Sequence, residues 1–219
     1  MKKIYKLIML VPMCLLITSC AKECTYDEFV AHENATKAAR DQLVVTSLSF
    51  LTTSVATSEG TDSSSITMGS VINNVEGDYY LYTYTSINTV SSGAIMYKDA
   101  NSYKMTTTND SSLTIDVAES LVKESITVTL NNCLTFNVWD KIISSEDNKE
   151  TTKFYTDGEG AIVKFNEDNV NGEIKIDRYG YVSSFYSTAT ETKNDGTKQK
   201  TKTTISLSIN KEIKRKTSF

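Results

Sequence analysis

The sequence predicts an α+β fold: one large antiparallel sheet, an N-terminal helix and a short middle helix. Three observations carry this expectation. Strand-like runs recur every 8 to 14 residues through the second half with no helix between them, and strands so connected must pair antiparallel. The composition favours strands: 12 Tyr, abundant Ser, Thr and Asn, and a single Pro, because aromatic and β-branched side chains fit a pleated surface. Two segments, near residues 25–42 and 116–124, carry helical spacing instead of alternation.

The first twenty residues read MKKIYKLIMLVPMCLLITSC. Lys2, Lys3 and Lys6 charge the start, Leu7 to Ile17 are apolar apart from Pro12, and small Thr18 and Ser19 precede Cys20. This is the pattern of a secretory signal, and its apolar run is shorter than the roughly 20 residues a spanning helix needs. Ile17-Thr18-Ser19-Cys20 resembles the bacterial lipobox. That resemblance implies cleavage before Cys20, a diacylglyceryl group on its sulfur and an acyl chain, such as palmitate, on its amine. The chain would then be exported and held on the extracytoplasmic side of a bacterial cell membrane. Each buried CH₂ contributes about 0.8 kcal/mol, so two or three chains anchor where one binds marginally. Residues 1–19 are thus expected to be the signal peptide, 20–24 a lipidated tether, 25–210 a single domain and 211–219 a basic tail. Loss of Lys2, Lys3 and Lys6 takes the formal charge from −4 to −7. An acidic body argues against nucleic acid as a partner, so location depends on the lipid.

Thr25 and Glu28 form a capping box, Cys24 and Phe29 sit at the staple positions, and Phe29, Val30, Ala35, Ala38 and Ala39 make an apolar stripe. A helix over 25–42 follows. Beyond it, Leu48, Phe50 and Thr52 alternate in a strand that ends in a polar loop at Ser58–Ser65. A second strand runs to a turn at Glu76–Asp78. DYYLYTYTSINTV then places Tyr80, Tyr82 and Tyr84 on one face and Tyr79, Leu81, Thr83 and Ile87 on the other. AIMYKDANSYKM reads as a hairpin with Asp99-Ala100-Asn101 in the bend. Asp116 caps the short helix 116–124, whose Val117, Leu121 and Val122 keep helical spacing. SITVTLNNCLTFNVW, residues 125–139, resumes strand texture, and the charged loop Ser144–Lys153 follows. The remainder is a meander with turns at Asp157-Gly158, Asn171-Gly172 and Asn194-Asp195-Gly196.

Chemical signatures are sparse. His32 is the sole histidine, read as a solvated or rim residue of the first helix. Without a second histidine a zinc site has no visible spacing, and no nucleophile elbow accompanies His32 to suggest a catalytic triad. Two calcium-like stretches, at Asp99 and Glu167, fail on a missing glycine and on Arg178 in place of the terminal acid. The chain is therefore expected to be non-enzymatic, without cofactor or metal. Cys24 and Cys133 remain once Cys14 leaves with the signal and Cys20 carries lipid. They are a candidate disulfide in an oxidising compartment, with two separate thiols as the alternative. Lys211, Lys214, Arg215 and Lys216 form a basic end, read as a frayed, solvated tail with headgroup contact as the alternative. Tyr80, Tyr82, Tyr84, Tyr97 and Tyr103 are candidate ligand-lining residues, since a tyrosine offers an apolar body and a polar edge; cross-strand packing is the other reading.

The lipobox, the short helix, the long strands, the interposed helix and the terminal meander, with Gly93–Met105 (GAIMYKDANSYKM) as a strand pair, together resemble the lipoprotein-carrier superfamily. That superfamily includes the periplasmic carrier LolA and the LppX-type lipoproteins. The resemblance covers roughly residues 25–210 and implies a curved, half-barrel-like sheet whose concave face, covered by helices, holds acyl chains. The expected function is a membrane-anchored lipoprotein that binds a lipid or other hydrophobic ligand on that concave face. The alternative is a surface adhesin or an accessory subunit of a cell-envelope complex with no small-molecule ligand.

Overall fold

The computed structural model describes residues 21–74, 76–134, 151–156, 160–167 and 169–219. The signal segment, Cys20, the Asp157-Gly158 turn and the loop 144–153, apart from its last residues, lie outside them. In chain order the elements are β1 (Lys22–Cys24), α1 (Tyr26–Asp41), β2 (Ser47–Ser58), β3 (Thr61–Asn73), β4 (Tyr79–Ile87), β5 (Val90–Asp99), β6 (Ser102–Thr107), β7 (Thr114–Val117), α2 (Glu119–Leu134), β8 (Thr152–Thr156), β9 (Ala161–Glu167), β10 (Val170–Ile176), β11 (Val182–Thr192) and β12 (Lys198–Ile209). The strands form one open, curved antiparallel sheet in the order β1-β8-β9-β10-β11-β12-β2-β3-β4-β5-β6-β7. Two hairpin meanders, β2–β7 and β8–β12, meet where β12 pairs with β2. The helices are the two connections that cross the sheet: α1 leads from the β1 edge to β2 in the middle, and α2 from the β7 edge back toward β8.

The capping box forms as its sequence dictates. The Thr25 amide donates to Glu28 Oε2 at 2.8 Å and the Glu28 amide to Thr25 Oγ1 at 3.2 Å, and that bonding holds the Glu28 carboxyl below its ordinary range. Phe29 is fully buried and packs with Cys24, Phe154, Val163 and Ile174. The expected alanine stripe contributes less, since Ala35 is exposed. Residues 22–24, read as tether, pair with β8 as an edge strand.

The middle helix is longer than predicted. Residues 125–134, with strand-like texture in the sequence, continue α2 to Leu134. Tertiary burial overrides β propensity here. Val122, Ile126 and Leu130, spaced by four, are buried against Leu48, Val71, Leu81 and Met96 of the sheet. The threonines that read as strand formers bond back within the helix, Thr127 Oγ1 to the Lys123 carbonyl at 2.9 Å and Thr129 Oγ1 to the Ser125 carbonyl at 2.8 Å. Asp116 does not cap this helix; it lies in β7 and pairs with Lys104 at 2.8 Å.

Two turns also fall elsewhere than expected. The Ser58–Ser65 stretch is not a loop: β2 and β3 run through it to a reversal at Glu59-Gly60, and Thr57 Oγ1 meets Asp62 Oδ1 at 2.7 Å. Asn171-Gly172 lies inside β10, with the reversal between Glu167 and Val170. Gly172 serves close approach instead, because a Cβ there would stand 2.5 Å from the Phe165 ring. The Asn194-Asp195-Gly196 turn forms as predicted, with Asp195 Oδ1 accepting from the Thr197 amide at 2.9 Å.

The helical register of α2 is directly testable. A strand over 125–130 would put Ile126 and Val128 on one face, whereas the helix buries Ile126 (1% exposed) and leaves Val128 53% exposed. Ile126→Ala should cost about 2–5 kcal/mol in chemical denaturation, and Val128→Ala less than about 0.5 kcal/mol. Equal costs would overturn the helix.

Candidate functional site

Side-chain alternation divides the sheet into a helix-bearing face and a tail-bearing face. On the helix-bearing face the ladder aligns one rung across nine strands: Cys24, Phe154, Val163, Ile174, Phe185, Ile205, Thr52, Thr67 and Thr85. α1 packs on β8 at one end, and α2 on β3, β4 and β6 at the other. Each helix closes its own core, the first around Phe29 and Phe154 and the second around Leu48 and Leu81. The strands between them keep large apolar side chains that are only partly buried: Phe185, Ile205 and Phe50.

A cavity of about 520 Å³ opens there, beneath α2. Its floor is two adjacent rungs, Ile205-Thr52-Thr67-Thr85 and Leu207-Phe50-Gly69-Thr83, with Gly69 filling the register position beneath Phe50; its roof is Thr129, Asn132 and Cys133 of α2. Thr67 and Thr85 share a hydroxyl contact at 3.3 Å, and the Thr129 hydroxyl is bonded within its helix, so part of the polar inventory is already satisfied. Among the described residues no acidic or basic side chain lines the space, and Cys133 is the one titratable group there. Burial pushes that thiol up to about 11. The lining is thus uncharged at neutral pH, apolar on the β12 side and hydroxyl-bearing on the β3–β4 side. Such a wall accommodates an apolar ligand with a weakly polar edge, and it offers no acid, base or activated nucleophile.

The tyrosine candidates do not line this cavity. Tyr80, Tyr82, Tyr84 and Tyr97 stand on the opposite face around Ile95, and Tyr103 lies on the helix-bearing face in the α2 core, its hydroxyl donating to the Gly77 carbonyl at 2.7 Å. The turn decides this. A three-residue bend at 99–101 would oppose Tyr97 and Tyr103; the observed two-residue turn, with Ala100 at φ 50°, opposes Tyr97 to Lys104 and Tyr103 to Lys98. One residue of slip exchanges the faces. The tyrosines at 80, 82 and 84 are also covered. The basic end, expected to be frayed, lies across them, with Ile213 packed on their cluster and Phe219 6.0 Å from Tyr82.

Cys24 and Cys133 are free thiols that pack on different cores, Cys24 with Phe29 and Cys133 with the α2 cluster. The candidate disulfide is therefore not formed. His32 is not solvated: its Nδ1 lies 3.4 Å from Glu33 Oε1, and both side chains are largely buried. Burial raises the Glu33 carboxyl above its usual range. Arg40 Nη1 donates to the Gly180 carbonyl at 3.3 Å, so this end of α1 is a docking contact with the β10–β11 turn. Among the described residues no three His, Cys, Asp or Glu side chains could hold a metal ion, and no helix is long and apolar enough to cross a membrane.

Sequence placed the floor residues Phe50 and Thr52 in a strand but did not mark them, or Ile205 and Leu207, as ligand-lining. The available signal was weak: TTISLSI sets Ile205, Leu207 and Ile209 at one parity, but FLTTSV puts Leu51 and Val55 at the parity opposite to Phe50, and nothing local places α2 above these strands.

The Cys133 environment has a measurable consequence. Iodoacetamide at pH 8 should label Cys133 far more slowly in the folded chain than in urea. A thiol raised to about 11 retains its proton in the fold. Its contribution to stability is therefore full below the unfolded value of about 8.5 and is lost as pH rises through the folded value. Labelling at equal rates in both states would contradict that burial.

No protein-family model matches the chain, and no curated protein sequence matches it significantly. Solved structures do align with it. A DUF1329 family protein from Desulfovibrio piger superposes with a TM-score of 0.24 at 9% identity, over 85% of this chain and 95% of that one. A putative outer membrane lipoprotein-sorting protein domain from Vibrio parahaemolyticus superposes with a TM-score of 0.24 at 10% identity, over 86% and 95%. At that level of superposition neither neighbour bears on what this chain binds.

Proposed function

We propose that this chain is a non-enzymatic, membrane-anchored extracytoplasmic lipoprotein that holds a lipid or other hydrophobic ligand on the helix-bearing face of its sheet. One observation carries the reading: a cavity of about 520 Å³, within the usual range for small-molecule sites and lined by no charged side chain among the described residues, opens between α2 and the sheet beside Phe50 and Ile205. An acyl chain or similar apolar body would lie along Ile205, Leu207 and Phe50, and the threonine side would meet its polar end. The ligand would gain roughly 25 cal/mol for each Å² of apolar surface removed from water. Lipid on Cys20 would keep the site at the membrane, with Ala21 alone between that residue and the edge strand β1.

Native mass spectrometry of the protein released from its membrane should find one apolar ligand per chain. Ile205→Asp should lower that occupancy about tenfold or more, because an unpaired carboxylate cannot be buried cheaply beside an apolar chain. A ligand-free wild type, or equal occupancy in a folded variant, would overturn the binding reading. Separately, Cys20→Ser should move the protein from the detergent phase to the aqueous phase on Triton X-114 partitioning. Unchanged partitioning would exclude the anchor.

A further inference from the structure

The tail-bearing face holds a second cavity, unrelated to the groove beneath α2. It measures about 340 Å³ and lies beside the C-terminal segment. The ladder sets Ser208, Ser49, Ser70 and Tyr82 in one rung across β12, β2, β3 and β4, with Ser206 in the next. Lys214 and Lys216 complete the lining. Among the described residues no carboxylate lines this space, although Asp and Glu outnumber Lys and Arg 27 to 23 in the chain. Neither lysine is ion-paired among the described residues; Lys216 Nζ reaches only the Tyr82 hydroxyl at 3.4 Å and the face of that ring at 4.6 Å.

The lysines are held in place by the tail. The Arg215 guanidinium grips both oxygens of Asp78, and that bonding lowers the Asp78 carboxyl from its usual range. The Lys216 amide donates to the Tyr80 hydroxyl at 2.8 Å. Phe219 settles over Gly93, where an added Cβ would come 3.1 Å from its ring. With Ile213 packed on the tyrosine cluster before them, these contacts hold the Lys214–Lys216 backbone beside the serine rung.

We infer that this cavity binds a phosphate group. Two ammonium groups and a row of hydroxyl donors suit a doubly charged tetrahedral oxyanion, which accepts several charge-assisted hydrogen bonds at once. A single carboxylate would leave one cation without a partner. Exposed Leu51 and partly buried Met68 border the same space, so inorganic phosphate and the headgroup of a phospholipid are the two sources of this chemistry.

The full lipidated chain in nonionic detergent micelles distinguishes these sources by titration calorimetry. One arm adds inorganic phosphate; the other compares micelles doped with phosphatidic acid against diacylglycerol. Saturable binding in either arm is expected, with no response to diacylglycerol. Lys214→Gln with Lys216→Gln should weaken it about tenfold or more, through the loss of charge-assisted bonds. Ser49→Ala with Ser208→Ala should weaken it while leaving net charge unchanged. Lys202→Gln, which removes an exposed cation lying over Tyr186 elsewhere on the sheet, should leave binding as in wild type. Absence of saturable binding in both arms would overturn the site, as would unaltered binding in either double variant or equal weakening by Lys202→Gln.

Discussion

The pairing of β12 with β2 is the constraint on which the rest of the molecule depends. It runs from Gln199 opposite Ser58 to Ile209 opposite Leu48 and is the seam between two otherwise separate meanders. Asn210 secures its end: its amide donates to the Ser47 carbonyl at 2.8 Å, its Oδ1 accepts from the Thr46 amide at 2.8 Å, and its Nδ2 donates to the Val44 carbonyl at 3.0 Å. A slip of one residue at this seam would turn Ile205 and Leu207 to the tail-bearing face and bring Ser206 and Ser208 under the helices. Both cavities would be lost together, since each draws its floor from β12 and β2.

The same residue launches the tail. Asn210 adopts φ 53°, a left-handed conformation that Asn tolerates better than most side chains, and the chain leaves the sheet plane there. Lys211 stays close, its carbonyl accepting from Ser47 Oγ at 2.8 Å. A long, exposed tyrosine face would be a liability for a sheet of this width. The tail covers it with Ile213 and Phe219 and lays the Arg215 guanidinium and the Lys216 ammonium over the Tyr80 and Tyr82 rings.

The two faces thus use different solutions to one problem. The helix-bearing face is packed at its ends by α1 and α2, which cross the sheet as connections, and a cavity remains between α2 and the strands. Neither described helix packs on the tail-bearing face, which alternates Ser and Thr with apolar residues on β2 and β3, carries Lys200, Lys202, Thr204, Ser206 and Ser208 on β12, and is covered over the tyrosines by the tail.

Much of this architecture was determined by sequence alone, wherever the signal was local. The capping box placed α1 within a residue at each end, alternation separated Tyr80, Tyr82 and Tyr84 from Leu81 and Thr83, and the absence of intervening helices dictated antiparallel pairing of the meander. Tertiary structure decided whatever depended on distant partners. The β-branched run Ile126-Thr127-Val128-Thr129 is locally as good a strand as a helix; only the sheet surface offered to Val122, Ile126 and Leu130 settles it. The choice between a two- and a three-residue bend near Ala100, invisible in composition, moved Tyr103 to the opposite face from Tyr97. The tail reads as solvated because its contacts, Asp78, Tyr80 and Gly93, lie more than a hundred residues away. The groove beneath α2 was illegible for the same reason: its floor comes from β12, β2, β3 and β4 and its roof from α2, which only the fold brings together.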